Sequence, residues 1–280
     1  MAVLSICNHK GGTGKTTSAI HLAAAYGLSG RRVLLVDLDP QGFLTRMLGS
    51  DEPAEEESSL MLFDPEVVLK ALKVISLPSF DLLPASYSMT KAARALNKPT
   101  DVLWVKEALE TEHEYDLIML DTAAAMTVFS LNALVASDVA VIPVTPEYQP
   151  VIGAEQTYST ARLVQDKLNP SLMEPLFLLT QVDARKRDHL ALSGYVRRTY
   201  GTRVMRSEIR TSASLAEASG GGVTVFDRDV HSRGAFDYAN AADELSPFIF
   251  AGEEQAAEPA VGDRHTEESL EAVQRPEWAS

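Results

Sequence analysis

A glycine-rich run near the start of the chain has the residue types that bind phosphate. The run, called the phosphate loop below, reads Lys10-Gly11-Gly12-Thr13-Gly14-Lys15-Thr16-Thr17. Glycines let the backbone curl so that successive N–H groups point at an anion, and a helix that follows directly adds the positive end of its dipole. We expect Lys15 to reach the β- and γ-phosphates of a nucleotide and the Thr16 hydroxyl to bind Mg²⁺. His9 stands where the strict pattern has its first glycine.

Two later segments place carboxylates after apolar stretches. Asp37 and Asp39 leave the second predicted strand in the run Val36-Asp37-Leu38-Asp39-Pro40-Gln41-Gly42, and Asp121 ends the apolar stretch 117–120. Open α/β sheets bind ligands outside the carboxyl ends of their strands, so Asp37 and Asp39 suit metal-bound water and an attacking water, and Asp121 can hold the Mg²⁺ shell. The alternative for Asp37 and Asp39 is a pair of solvated loop aspartates before a turn-forming proline.

Short apolar runs alternate with amphipathic stretches, which predicts an α/β fold with one doubly wound, mostly parallel sheet and helices on both faces. Strands are expected at about 2–7, 32–36, 80–84, 116–120, 138–143, 175–181 and 204–209. Helices are expected at about 16–29, 65–73, 86–96, 101–113, 127–136, 152–168, 188–200 and 233–248. Residues 49–60 are expected to form an acidic loop and residues 220–222 a turn or hinge. The domain should cover 1–250, followed by an acidic tail, 251–280, that its composition predicts to be disordered.

The composition is that of a soluble globular protein, with 45% hydrophobic and 23% charged residues among 280. A single cysteine, Cys7, excludes a disulfide framework and a thiolate cluster built from one chain. No apolar stretch approaches the ~18 residues that a membrane span needs, and the first residues lack the pattern of a secretion signal. We therefore expect a cytoplasmic protein.

The formal net charge of −14 is unevenly distributed. Residues 253–277 carry eight acidic residues against two arginines, whereas residues 185–210, called the basic segment below, carry eight cations against two acids. Its cations are Arg185, Lys186, Arg187, Arg197, Arg198, Arg203, Arg206 and Arg210. Clustered cations are typical of contact with the nucleic-acid backbone, which depends on salt and not on sequence. The alternative is a solvated basic face.

Together these motifs resemble those of the deviant Walker A ATPases of the ParA/MinD group, in particular the ParA (Soj-like) partition ATPases. The resemblance covers about residues 2–250. Further matching stretches are 131–134, 143–148, 180–185 and 229–234. The phosphate loop is the most specific of the motifs.

The resemblance implies an ATPase that uses ATP and Mg²⁺ and forms a homodimer in the ATP state, with Lys10 of each subunit reaching the nucleotide of the other. It implies that Asp39 positions the hydrolytic water, that Asp121 serves the metal, and that Asp183 and Arg210 lie at the nucleotide. It also implies non-specific DNA binding on the nucleoid and a ParB-like or cargo-adaptor partner that stimulates hydrolysis. The cargo could be a plasmid, a chromosome or a protein body.

Three departures from the family pattern affect these expectations. Relatives usually have Asp-Thr-Pro-Pro after this strand, whereas Asp121-Thr122 is followed here by three alanines, 123–125, so the segment should be looser or more helical. Arg210 replaces a proline that helps to shape the adenine pocket. Ser214 stands where many DNA-binding relatives have an arginine.

Two other classes of protein share this type of fold. A MinD-like ATPase at a membrane surface needs a basic amphipathic C-terminal helix, but residues 267–271 are acidic. A metabolic enzyme of related P-loop fold needs either more cysteines, for an iron–sulfur reductase, or a further acid–base constellation, for an amide ligase. The sequence favours the partition ATPase with no membrane partner.

Overall fold

Eight strands form one sheet in the computed structural model, which describes residues 1–250. They are β1 (Ala2–Ile6), β2 (Val33–Asp37), β3 (Ile75–Ser76), β4 (Asp81–Leu83), β5 (Leu117–Asp121), β6 (Val139–Val144), β7 (Leu176–Val182) and β8 (Val204–Arg210). Seven of them lie where the apolar runs predict strands. The other, β3, is two residues long, too short for its periodicity to be read.

The order of the strands brings three chain segments to one edge of the sheet. Across the sheet the order is β3-β4-β2-β5-β1-β6-β7-β8, and all neighbours are parallel except β3 and β4. Asp121 of β5 is in register with Asp37 of β2 on one side and with Ile6 of β1 on the other. The ends of β1, β2 and β5 therefore meet at what is called the carboxyl edge below.

Helices cover both faces of the sheet. They are α1 (Lys15–Leu28), α2 (Phe43–Met47), α3 (Met89–Ala95), α4 (Trp104–Leu109), α5 (Val128–Ala136), α6 (Tyr148–Lys167), α7 (Arg187–Tyr200), α8 (Ala213–Gly221), α9 (Val225–Asp229) and α10 (Arg233–Ile249). One face packs on α1 and α10, whose Leu22, Tyr238 and Leu245 join the core there. The other face packs on α4 to α7 through residues such as Phe129 and Ala154. Strands buried on both faces explain the apolar runs of the sequence.

The structure corrects several predicted elements. The helix expected at 65–73 is wrong, since only Leu69–Ala71 form a short 3₁₀ turn. The acidic loop at 49–60 contains the 3₁₀ turns Glu55–Glu57 and Ser59–Phe63. The expected turn at 220–222 is mostly helix, because the first two of its glycines end α8 and the third closes that helix. The sequence did not predict the short helices α2, α8 and α9.

The alanines at 123–125 do not extend a helix. Helix α5 begins only at Val128, where the Thr127 hydroxyl accepts a hydrogen bond from the Ser130 amide. The acidic tail, 251–280, lies outside the described residues, so the division into domain and tail stays a prediction. Among residues 1–250, no helix has both the length and the apolar character that crossing a membrane requires.

Candidate active site at the carboxyl edge

The phosphate loop joins β1 to α1 with a backbone that needs glycine. Gly12 and Gly14 have φ angles of 76° and 80°, in the left-handed region where a side chain would be strained. Gly14 is the residue directly before α1, and its carbonyl accepts the first helical bond from Ser18 N at 2.8 Å. The free N–H groups of the first turn of α1 therefore face the loop, as a phosphate site requires.

The end of β7 holds the loop from outside. The Thr180 hydroxyl donates to the Thr13 carbonyl at 2.8 Å, and the Gln181 side-chain amide donates to the Gly12 carbonyl at 2.7 Å. Gln181 has a φ of 52°, the one positive value at a non-glycine residue in the part of the chain that the structure describes. These bonds turn the loop carbonyls outward, which leaves its amides available to an anion.

The two lysines of the loop have opposite surroundings. Lys15 is only 7% exposed, and its Nζ donates to the Lys10 carbonyl at 3.1 Å. Burial lowers the pKa of Lys15, and the nearby carboxylates of Asp121 and Asp39 oppose that shift. Lys10 is exposed, and its Nζ lies 3.4 Å from the side-chain oxygen of Gln149 on α6. One cation therefore points into its own site and the other faces solvent beside it.

Helix α6 fixes the backbone at Lys10. Asn8 Oδ1 accepts from the Lys10 amide at 2.9 Å, while Asn8 Nδ2 donates to the Pro143 carbonyl at 2.8 Å. A Cβ placed on Gly153 of α6 would lie 2.9 Å from the Lys10 Cβ and 3.2 Å from Asn8 Oδ1. Sequence reasoning missed Asn8 and Gly153, because a buried asparagine and a helical glycine gain meaning only from what they touch.

Asp121 and Thr16 have the geometry of a metal site. The Thr16 hydroxyl donates to Asp121 Oδ2 at 2.8 Å, and the buried Asp121 Oδ1 has no hydrogen-bond partner within residues 1–250. Burial, with a contribution from Asp37, raises the pKa of Asp121. An unpaired buried carboxylate oxygen is costly, and hydroxyl and carboxylate oxygens are the ligands that Mg²⁺ prefers. The residues present therefore fit a magnesium ion.

Asp37 lies beside them, but its oxygens already have partners. Oδ1 accepts from the Asp39 amide at 3.0 Å, and Oδ2 accepts from the Thr45 amide and hydroxyl at 3.0 and 2.7 Å. Burial raises the pKa of Asp37 to about 6. The carboxyl group thus holds α2 and the Asp39 loop in place. Direct metal binding by Asp37 stays a prediction.

Asp39 is half-buried at the rim of the site. Its Oδ1 accepts a hydrogen bond from the Gln41 amide at 2.9 Å, and its carbonyl accepts one from the Gly42 amide at 2.8 Å. The negative charge of Asp39 also acts to raise the pKa of Lys15. The hydrogen bonds with Gln41 and Gly42 fix the Asp39 loop locally, and the role of Asp39 toward water stays a prediction.

A groove of about 250 Å³ continues from the loop along the ends of β7 and β8. Thr17, Arg210 and Tyr238 are among its lining residues, but Asp183 is not. The Arg210 guanidinium is bound to the buried carboxylate of Asp237, whereas the carboxylate of Asp183 is held by Arg185. The hydrogen bonds to Asp237 raise the pKa of Arg210. The hydrogen bonds from Arg185 lower the pKa of Asp183. Contact of either side chain with the nucleotide stays a prediction.

The basic segment is less free than its charge count suggests. Four of its predicted DNA-binding cations pair with carboxylates: Arg185 with Asp183, Lys186 with Glu147, Arg197 with Glu208, and Arg203 with Glu174. Arg187, Arg198 and Arg206 are exposed, and none of them forms an ion pair with another described residue. Most of the acids come from outside the segment, so counting charges along the chain could not reveal them.

The parallel sheet, the phosphate loop and the Thr16–Asp121 pair define a P-loop nucleoside triphosphatase. A family model described as an AAA domain matches residues 1–174. The sporulation initiation inhibitor protein Soj of Bacillus subtilis (strain 168) is 36% identical over 248 residues, which cover 87% of this chain and 98% of that protein. The chain belongs to the Soj/ParA family of P-loop ATPases.

Two further relatives agree with this assignment. The chromosome-partitioning ATPase Soj of Thermus thermophilus is 36% identical over 242 residues, covering 86% of this chain and 94% of its own. Cobyrinic acid a,c-diamide synthase from Mycobacterium smegmatis, solved with bound ADP and magnesium, superimposes with a TM-score of 0.74 at 29% identity, covering 88% and 94% of the two chains. The predictions of fold, family and ATPase activity are confirmed, and the predicted cofactors, ATP and Mg²⁺, agree with the ADP or ATP analogue and magnesium bound in structures of the Mycobacterium smegmatis synthase.

Proposed function

We propose that this chain is a positioning ATPase that dimerises on binding ATP and Mg²⁺, binds DNA without sequence preference, and is reset when a partner stimulates hydrolysis. Two Soj proteins at 36% identity, one of them named a chromosome-partitioning ATPase, support this role over amide synthesis. The fold is shared with both classes, so the choice depends on the site.

The observation that carries the proposal is the contrast between the two loop lysines. Lys15 is buried and close enough to its own loop to neutralise a bound triphosphate in the same subunit. Lys10 is exposed and held at the rim by Asn8 and Gly153, so its amine is available to the nucleotide of a second subunit. A second cation at the phosphates stabilises the charge that develops during phosphoryl transfer. Nucleotide binding and dimerisation are then one linked equilibrium.

The remaining groups divide the chemistry between them. Thr16 and Asp121 would hold Mg²⁺, which supplies charge neutralisation between the phosphates when bound. Asp39 positions the attacking water from the rim of the site. Asp37 keeps the Asp39 backbone in place through its 3.0 Å bond. Asp183 and Arg210 are assigned to the nucleoside end, where the groove beside Thr17 lies.

DNA binding is assigned to the exposed part of the basic segment. Arg187, Arg198 and Arg206 are the cations free to contact phosphates, and a dimer would present two copies of each. The paired residues Arg185, Lys186, Arg197 and Arg203 would contribute after exchanging their carboxylate partners. A cytoplasmic, nucleoid-associated protein with a ParB-like or cargo-adaptor partner follows from this assignment, with no membrane partner.

Size-exclusion chromatography with light scattering, in ATP and Mg²⁺, tests the proposal. Wild type should shift from monomer to dimer with ATP and not with ADP. Lys10→Ala should remain monomeric, because the cross-subunit cation is lost, and Asp39→Ala should accumulate as the ATP dimer, because hydrolysis is slowed. Identical behaviour of wild type and both variants would contradict the proposal.

A further inference from the structure

His189, a buried residue of α7 within the basic segment, faces the start of α6. His189 is 2% exposed, and its Nδ1 accepts a hydrogen bond from the Asp183 amide at 3.2 Å. Since a backbone amide can only donate, the ring hydrogen belongs on Nε2. That atom lies 3.4 Å from Glu147 Oε1 and 3.4 Å from Lys186 Nζ. Since both nitrogens carry hydrogens in this tautomer, they share Glu147 Oε1 as their acceptor, and Lys186 Nζ lies 3.6 Å from it.

Glu147 belongs to the end of α6 that is closest to the exposed loop lysine. It is the residue directly before α6, and Gln149, two positions on, contacts Lys10 Nζ. Farther along the helix, Gly153 leaves no room for a Cβ beside Lys10, since an added Cβ would lie 2.9 Å from the Lys10 Cβ, and the Thr157 hydroxyl accepts from the His9 amide at 2.8 Å. Helix α6 therefore lies against the start of the phosphate loop over three successive turns, and Glu147 stands directly before the first of them.

A cleft of about 730 Å³ separates the start of α6 from the start of α7, and Glu147, Lys186 and His189 are among the residues that line it. His189 and Lys186 reach Glu147 across this cleft. A shift of the α6 end would therefore move the loop between β7 and α7 through these contacts.

We propose that His189, through Glu147, couples the nucleotide state at the phosphate loop to the placement of the cations at residues 185–187. His189 is a positioning residue: it is buried, and it ties the loop backbone at Asp183 to the start of α6. The inference rests on the proposed function, since it requires ATP-dependent DNA binding. Its consequence is that the affinity for DNA depends on nucleotide through this contact.

The chain offers a matched control at a second polar contact between the same helices. The Tyr195 hydroxyl donates to Glu155 Oε1 at 2.8 Å, on an exposed face away from the loop. Tyr195→Phe removes that hydrogen bond with almost no change in shape. If any weakening of the α6–α7 contact reduced coupling, this variant would show it.

The experiment measures the affinity for mixed-sequence duplex DNA in ATP and in ADP, both with Mg²⁺, and takes the ratio. We expect His189→Leu and Glu147→Ala each to reduce the wild-type ratio by about tenfold, a usual size for coupling between sites. The double variant should lose no more than the larger single loss, because both changes break one contact. Tyr195→Phe should keep the ratio, and all variants should still dimerise with ATP.

Different results identify which idea is wrong. An unchanged ratio in Glu147→Ala, or equal losses in Tyr195→Phe, overturns the role of His189. If His189→Leu melts at a much lower temperature than wild type, Glu147→Ala carries the test alone, since the exposed Glu147 side chain makes no capping hydrogen bond to α6. A wild-type protein whose DNA affinity is the same in ATP and ADP overturns the proposed function instead.

Discussion

The carboxyl edge of the sheet and the basic segment both concentrate charge, but the two regions surround it differently. At the carboxyl edge, Lys15, Asp37 and Asp121 are almost fully buried, and each is held by backbone or hydroxyl groups. In the basic segment the cations are half-buried or exposed, and most pair with carboxylates on the surface. Buried charges are fixed and expensive, whereas surface pairs exchange partners at little cost.

This difference in burial shows at which positions the identity of a charged residue matters most. A charge buried at the end of a strand cannot be moved or replaced without leaving its partner unpaired. A surface cation can be replaced by another a few residues away, because phosphate contact depends on the local density of charge. We therefore expect substitutions at the carboxyl edge to have larger and more specific effects than those in the basic segment.

The largest effect is expected from the buried lysine. Lys15→Ala should weaken binding of ATP by about 100-fold, since a hydrogen-bonded charge at the phosphates is lost. Lys10→Ala is the matched control, because its amine faces solvent in the same loop and should leave the affinity of the monomer for ATP nearly unchanged. Titration of a fluorescent ATP analogue at low protein concentration measures both. Equal losses of ATP affinity in the two variants would contradict the assignment of Lys15 to its own nucleotide site and of Lys10 to the solvent-facing side.

A pair of helical glycines, one in each region, gives the next largest difference. Gly153→Ala should destabilise the fold by about 1–3 kcal/mol and impair the ATP dimer, because the new Cβ meets the Lys10 Cβ at 2.9 Å. Gly194→Ala should be neutral or stabilising by up to about 1 kcal/mol, since its Cβ meets only the flexible end of Arg198, at 3.1 Å, and alanine favours helix. Urea unfolding compares the two variants with wild type, and a similar change in both would show that close approach is not the reason for Gly153.

The same contrast explains how far the sequence could predict the molecule. Apolar runs located seven of the eight strands, and the phosphate loop, Asp37 and Asp121 follow three of them, so register brings these residues together. Other residues of the site act through contacts between distant segments, which no local pattern records. Asn8 and Gly153 each contact a segment more than 130 residues away, and His189 contacts one about 40 residues away. The sequence likewise could not show which cations of the basic segment are free, because Glu147 and Glu174, which pair with two of the others, lie outside the segment.

The stability of the region beneath the phosphate loop should depend on pH. His21 of α1 is 2% exposed, packs on Tyr238 and accepts from the Val225 amide at 3.3 Å, and burial lowers its pKa from 6.5 to about 3. Below pH 6.5 the unfolded chain therefore takes up a proton that the folded chain does not, so this contribution lowers the stability as the pH falls. His21→Asn keeps an acceptor but does not titrate.

Urea unfolding at about pH 7.5 and about pH 5.5 measures the effect. The free energy of unfolding should fall by about 1.4 kcal/mol more for wild type than for His21→Asn between these values. Other groups titrate in both proteins, so they cancel in the comparison. The same fall in both would mean that His21 is protonated in the folded state.

The smallest effect is expected in the basic segment, and it appears as a dependence on salt. Arg198→Ala removes an exposed cation without a carboxylate partner in the described part of the chain, whereas Arg203→Ala removes one that lies 2.7 Å from Glu174. Both variants lose one positive charge. If DNA phosphates bind the free cations, Arg198→Ala should reduce the affinity for DNA a few-fold and lower the slope of log affinity against log salt by about 0.9 for each phosphate that is no longer neutralised. Arg203→Ala should change the slope less, because its charge is already balanced, and equal slopes in the two variants would show that total charge alone, and not pairing, governs the binding of DNA.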